Sequence, residues 1–71
     1  MKTLAYRYKI TYVFYTNPKS QVLRDTTVEV LQKSELKAED KFWCSPPGSI
    51  LLRSPGTTII TGIDYLGEFF Q

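Results

Sequence analysis

Leu4-Ala5-Tyr6-Arg7-Tyr8-Lys9-Ile10-Thr11-Tyr12-Val13-Phe14-Tyr15-Thr16 is the stretch whose reading decides the fold. Nine of its 13 residues are β-branched or aromatic, and its side chains sort by parity into two sets. Tyr6, Tyr8, Ile10, Tyr12 and Phe14 share one side, while Ala5, Arg7, Lys9, Thr11, Val13 and Tyr15 share the other. Because successive strand residues point to opposite faces, the pattern predicts a long strand with a tyrosine-rich core side and a solvated side carrying Arg7 and Lys9.

Toward the C-terminus, Asn17-Pro18-Lys19-Ser20 gathers turn formers, and Pro18 removes a donor that a continuing strand would need. The chain reverses there, and Gln21 to Leu31 resumes the β signal with Val22, Thr26, Thr27, Val28 and Val30. Charge selects the register of the hairpin. With Tyr15 facing Gln21, Phe14 stands opposite Val22, Ile10 opposite Thr26, Tyr8 opposite Val28 and Tyr6 opposite Val30, and Arg7 meets Glu29 on the other face. A slip of one residue sets Tyr8 against Glu29 and Arg7 against Val30, so the first register is preferred.

Ser34 is placed to cap a short helix running to about Trp43, with Glu35 in the first turn where a negative charge suits the dipole. Leu36 and Trp43 lie seven apart with Phe42 beside them, and Lys33, Lys37 and Lys41 form a stripe at i, i+4 spacing. Pro46-Pro47-Gly48 stops the helix. Ser49 to Arg53 reads as a short apolar strand, and Ser54-Pro55-Gly56-Thr57 as a type II turn into a further strand over Thr58 to Leu66, where Gly62 marks a bulge or a close backbone approach. The expectation is therefore an α+β fold of ββαββ order, a four-stranded antiparallel sheet of two hairpins with one short helix packed on one face. At 71 residues, a single small domain spanning residues 1–71 is the expected organisation.

Composition narrows the function. The chain has no His and one Cys, so it lacks the ligands for a zinc, haem or iron–sulfur site of its own, and no metal or other cofactor is expected. The usual general base is missing as well. Cys44 falls at the C-terminal end of the helix, the wrong end of the dipole for activating a thiol. Glu35, Glu39, Asp40, Asp64 and Glu68 read as a solvated set rather than a catalytic pair, so no catalytic residue is assigned and the chain is not expected to be an enzyme. The runs around Pro46-Pro47-Gly48 and Pro55-Gly56 match neither phosphate-binding glycine fingerprint. No apolar run approaches the roughly 20 residues of a membrane helix, and Lys2-Thr3-Leu4-Ala5-Tyr6-Arg7 does not read as a signal peptide. An unpaired cysteine in so small a domain points to a reducing, cytoplasmic setting.

What is left is binding. One short helix cannot cover four strands, so a large aromatic or apolar area should remain open, and such an area on a small protein marks an interaction site. Tyr15, Trp43, Tyr65, Phe69 and Phe70 are the candidate partner-binding residues, the last two because phenylalanines at a chain end need cover. The leading expectation is a protein-protein interaction module, an inhibitor or regulator of a larger complex of the kind phages and mobile elements encode, with a homodimer through sheet face or edge as one form of it. The alternative is a nucleic-acid-binding module using Arg7, Lys9, Lys19 and Arg24 on the first hairpin and the Lys33, Lys37 and Lys41 stripe. The net charge of +2 is too small to favour it alone, although the first 33 residues hold six basic against two acidic groups and the remainder three against five.

Overall fold

The tyrosine-rich stretch forms strand β1, Leu4–Tyr15, in the computed structural model, which describes residues 2–71. It is the central strand of a three-stranded antiparallel sheet, flanked by β2 (Val22–Val30) and β3 (Thr57–Phe70) in the order β2-β1-β3. Two helices, α1 (Glu35–Cys44) and α2 (Gly48–Arg53), connect β2 to β3. At about 3.3 Å per residue, the 14 residues of β3 account for the long dimension of a molecule measuring 47 × 20 × 16 Å.

The hairpin has the register that charge and hydrophobic pattern select. Phe14 pairs with Val22, Ile10 with Thr26, Tyr8 with Val28, Tyr6 with Val30 and Arg7 with Glu29. The loop is closed by Asn17, whose carbonyl accepts from the Ser20 N–H at 3.0 Å and whose Oδ1 accepts from the Lys19 N–H at 2.9 Å. This is the local side-chain mimicry for which Asn is favoured in turns.

The four-stranded ββαββ expectation is overturned: the sheet has three strands and the chain order is ββααβ. Residues expected to form a third strand, Ser49 to Arg53, lie in α2 instead. The Pro47 carbonyl accepts from the Ile50 and Leu51 N–H groups at 3.1 and 3.0 Å, and Ser54 donates its N–H to Leu51 at 3.2 Å and its hydroxyl to the Ile50 carbonyl at 2.8 Å. A run of three apolar residues is equally compatible with a buried helical turn and a short strand. The helix sends Leu51 inward against the core and leaves Ile50 and Leu52 exposed. Ser54-Pro55-Gly56-Thr57 consequently joins a helix to a strand rather than two strands, and Gly56 takes a φ of +127° there.

The final strand is longer than expected and pairs with β1 along its whole length, from Tyr15 opposite Thr57 to Leu4 opposite Phe70. Two register shifts interrupt it. At one, Thr61 is the extra residue before Gly62, and its hydroxyl donates to the Thr11 carbonyl at 3.3 Å. At the other, Leu66 is extra and Gly67 has a φ of +128°. Bulges of this kind bend and twist a strand, which is how a 14-residue strand follows a twisted neighbour.

Both helices pack on the even-numbered side of β1. Tyr8, Ile10, Tyr12, Val28 and Val30 from the sheet and Ala38 and Phe42 from α1 form the core, with Leu51, Ile60 and Ile63 packed against it. Ala38 and Phe42 are four apart, one turn of helix, and they define the buried stripe of α1. Leu36, expected on that stripe, is 74% exposed. Ser34 caps α1 as the sequence predicts, accepting from the Lys37 N–H at 3.4 Å.

Candidate interaction surfaces

With both helices on one side, the odd-numbered side of β1 is an open sheet face. Its middle carries ion pairs from Arg7 to Glu29 at 3.9 Å and from Lys9 to Asp25 at 3.8 Å, and Asp64 stands opposite Lys9 on the other flank. Toward the chain termini, Phe69 lies opposite Ala5, and the Arg7 guanidinium sits 4.5 Å above the Phe69 ring. Ala5 is fully buried there although no helix covers it. Toward the hairpin turn the face becomes apolar, because Val13 pairs with Leu23 on one side and Ile59 on the other. That row crosses all three strands beside Tyr15, with Leu23 68% and Ile59 47% exposed.

The five aromatic candidates do not gather on one surface. Tyr15 is half-buried at the hairpin end of β1 and Phe69 is half-buried at the opposite end. Trp43 packs edge-on against Phe42, with ring centres 4.8 Å apart, and belongs to the rim of the core. Tyr65 faces the helix side, 5.3 Å from the Tyr8 ring and 6.5 Å from Tyr6, with the Lys33 ammonium 4.8 Å above it. Partial desolvation, then the Glu68 carboxylate and Tyr6, push the Tyr65 hydroxyl above its ordinary pKa. Phe70, at the end of β3, is 67% exposed.

The basic candidates divide between surfaces as well. Arg7 and Lys9 lie on the open face beside carboxylates. Lys19 is in the hairpin turn, and Lys33 is engaged with Tyr65. Arg24 pairs with Tyr12 and so projects to the helix side, where it lines a groove of about 400 Å³ with Phe14, Val22, Pro47 and Leu51. Lys37 and Lys41 line hollows between α1 and the free edge of β2. Sequence reasoning missed the apolar row, although its signal was present: Val13 and Leu23 fall opposite each other once the register is known. Ile59 could not be placed without knowing that β3 pairs with β1.

Cys44 is exposed with a free thiol at the end of α1. Among the described residues no three His, Cys, Asp or Glu side chains are grouped as metal ligands, and no helix is long and apolar enough to cross a membrane. Comparison with protein-family models, with curated proteins and with solved structures gives no match.

Proposed function

We propose that this chain is a non-enzymatic, cytoplasmic protein-binding module that regulates or inhibits a larger complex, and that it seats the hairpin end of its open sheet face on the partner. The observation that carries this reading is the uncovered cross-strand row Leu23–Val13–Ile59. A row of aliphatic side chains left in water by three adjacent strands gains about 25 cal/mol for each Å² that a partner covers. The neighbouring cations favour the same reading. Arg7 and Lys9, the pair that first suggests a phosphate-tracking surface, each stand beside a carboxylate, so the face can lie against a protein without stranding a lone charge.

The test is Ile59→Ser with Leu23→Ser, two exposed positions whose loss leaves the core intact. Light scattering reads self-association, and affinity capture with hydrogen exchange reads a foreign partner. A dimer or captured complex that the double variant loses, with exchange protection over Val13 and Ile59 in the wild type, supports the proposal. A complex that survives the double variant refutes it.

A further inference from the structure

Strand β2 is an edge strand, and three hollows run along its free edge on the helix side. One lies beside Val22 and Arg24, one of about 340 Å³ beside Thr27 and Val28, and one of about 310 Å³ beside Val30 and Leu31. Lys41 and Glu29 line the second and third, and Lys37 the third. The carboxylates of this strand are paired, although Glu29 also borders two of the hollows. Asp25 and Glu29 alternate onto the open face, where they pair with Lys9 and Arg7, whereas among the described residues Arg24, Lys37 and Lys41 have no acidic group within 4.0 Å. An exposed β edge offers a row of unpaired N–H and C=O groups, and here that row is bordered by Arg24, Lys37 and Lys41 against the single side-chain carboxylate of Glu29, which is already paired with Arg7.

We propose that the groove between α1 and the edge of β2 binds an extended acidic peptide segment as a fourth strand. Main-chain hydrogen bonds to β2 supply the register-independent part of the affinity, and alternate side chains enter the hollows. The helix-side side chains of such a peptide recur every second residue, and those at the α1 end meet Lys41 and Lys37. At the hairpin end the groove formed by Tyr12, Phe14, Val22, Pro47 and Leu51 takes an apolar side chain, with Arg24 at its border. The occupant is thus a strand with Asp or Glu at alternate positions and a branched or aromatic residue at one end. This extends the protein-binding reading, on a surface distinct from the row Leu23–Val13–Ile59.

The experiment is fluorescence anisotropy on the intact chain with a labelled peptide Glu-Thr-Glu-Thr-Glu-Thr-Leu as the probe. Three controls accompany it: the same peptide with Lys for Glu, the same peptide with a central Pro, and a mixed oligonucleotide. Binding of the Glu peptide is expected to fall about tenfold or more in Lys37→Glu with Lys41→Glu, to weaken with salt, and to be lost with the Lys and Pro peptides. Amide exchange in β2 should slow at alternate positions in the complex. Ile59→Ser should leave this binding unchanged, so failure of the open-face reading and failure of this one are read separately. Equal binding of the Lys peptide, indifference to both charge reversals, protection of β3 instead of β2, or binding of the oligonucleotide alone would each overturn the proposal. Circular dichroism of the double variant, whose two lysines are exposed, confirms that any loss is not unfolding.

Discussion

Gly48 abuts the backbone carbonyl of Phe42 so closely that a Cβ at residue 48 would overlap the carbonyl oxygen and stand 2.7 Å from its carbon. The first residue of α2 is therefore a packing requirement for bringing the second helix against the first. Gly48→Ala has no flexible side chain to push aside, and separating the two helices costs packing of roughly 1–3 kcal/mol or more. Urea denaturation should show the midpoint falling by the corresponding amount. An unchanged midpoint would mean that the two helices do not meet in this way.

Phe42 and Leu36 lie on the same helix with opposite consequences. Phe42 is 1% exposed and stacks at a tilt on Tyr12, ring centres 5.2 Å apart, whereas Leu36 projects into water. Phe42→Ala should cost about 3–5 kcal/mol, and Leu36→Ala should stay within about 0.5 kcal/mol of the parent. Thermal unfolding of the two variants side by side checks this, and similar losses in both would contradict the facing of α1.

The two terminal phenylalanines should also separate. Phe69 covers Ala5 and lies under Arg7, so Phe69→Ala removes both a lateral apolar contact and a cation–π partner, for a loss of roughly 1–3 kcal/mol. Phe70→Ala should cost less than about 1 kcal/mol because its ring is mostly in water. The Arg7–Glu29 pair beneath is exposed on both sides, and Glu29→Gln should cost less than about 1 kcal/mol, an effect that salt reduces. A Glu29→Gln loss larger than the Phe69→Ala loss would reverse this ranking.

Tyr65 provides a pH signature. Its raised pKa, from partial desolvation first and then from Glu68 and Tyr6, means that the folded chain holds this proton to higher pH than the unfolded chain does. The associated stability is complete below the ordinary tyrosine value of about 10 and is lost as pH rises through the folded-state value. Comparing tyrosinate absorbance of the wild type with Tyr65→Phe should show the difference titrating above that value. A difference curve at or below it would remove the assignment.

The hairpin of β1 and β2 was legible in the sequence down to its register, because every determinant is local: strict alternation, a turn with Asn17 and Pro18, and one placement that brings Arg7 to Glu29. The capped start of α1 at Ser34 was legible for the same reason. The buried stripe of that helix was not, since Ala38 carries little hydrophobic signal, and it is Ala38 with Phe42, rather than Leu36, that the packing selects. The basic candidates were visible as residue types, but their division between a neutralised face and a free edge depends on which strand faces which.

The sequence alone determined the alternation of β1, its pairing with β2, the capped helix and the lack of histidine chemistry, all of which follow from neighbours close along the chain. Tertiary structure decided that Ser49 to Arg53 coils into α2 and that β3 adds to β1 to complete a three-stranded sheet. It also decided that Leu23, Val13 and Ile59 meet on an open face. A short apolar run has nearly equal local preference for helix and strand, so its state is set by the packing of Gly48 against Phe42 and of Leu51 beside Tyr12, a space that exists only after residues far apart in sequence have packed together.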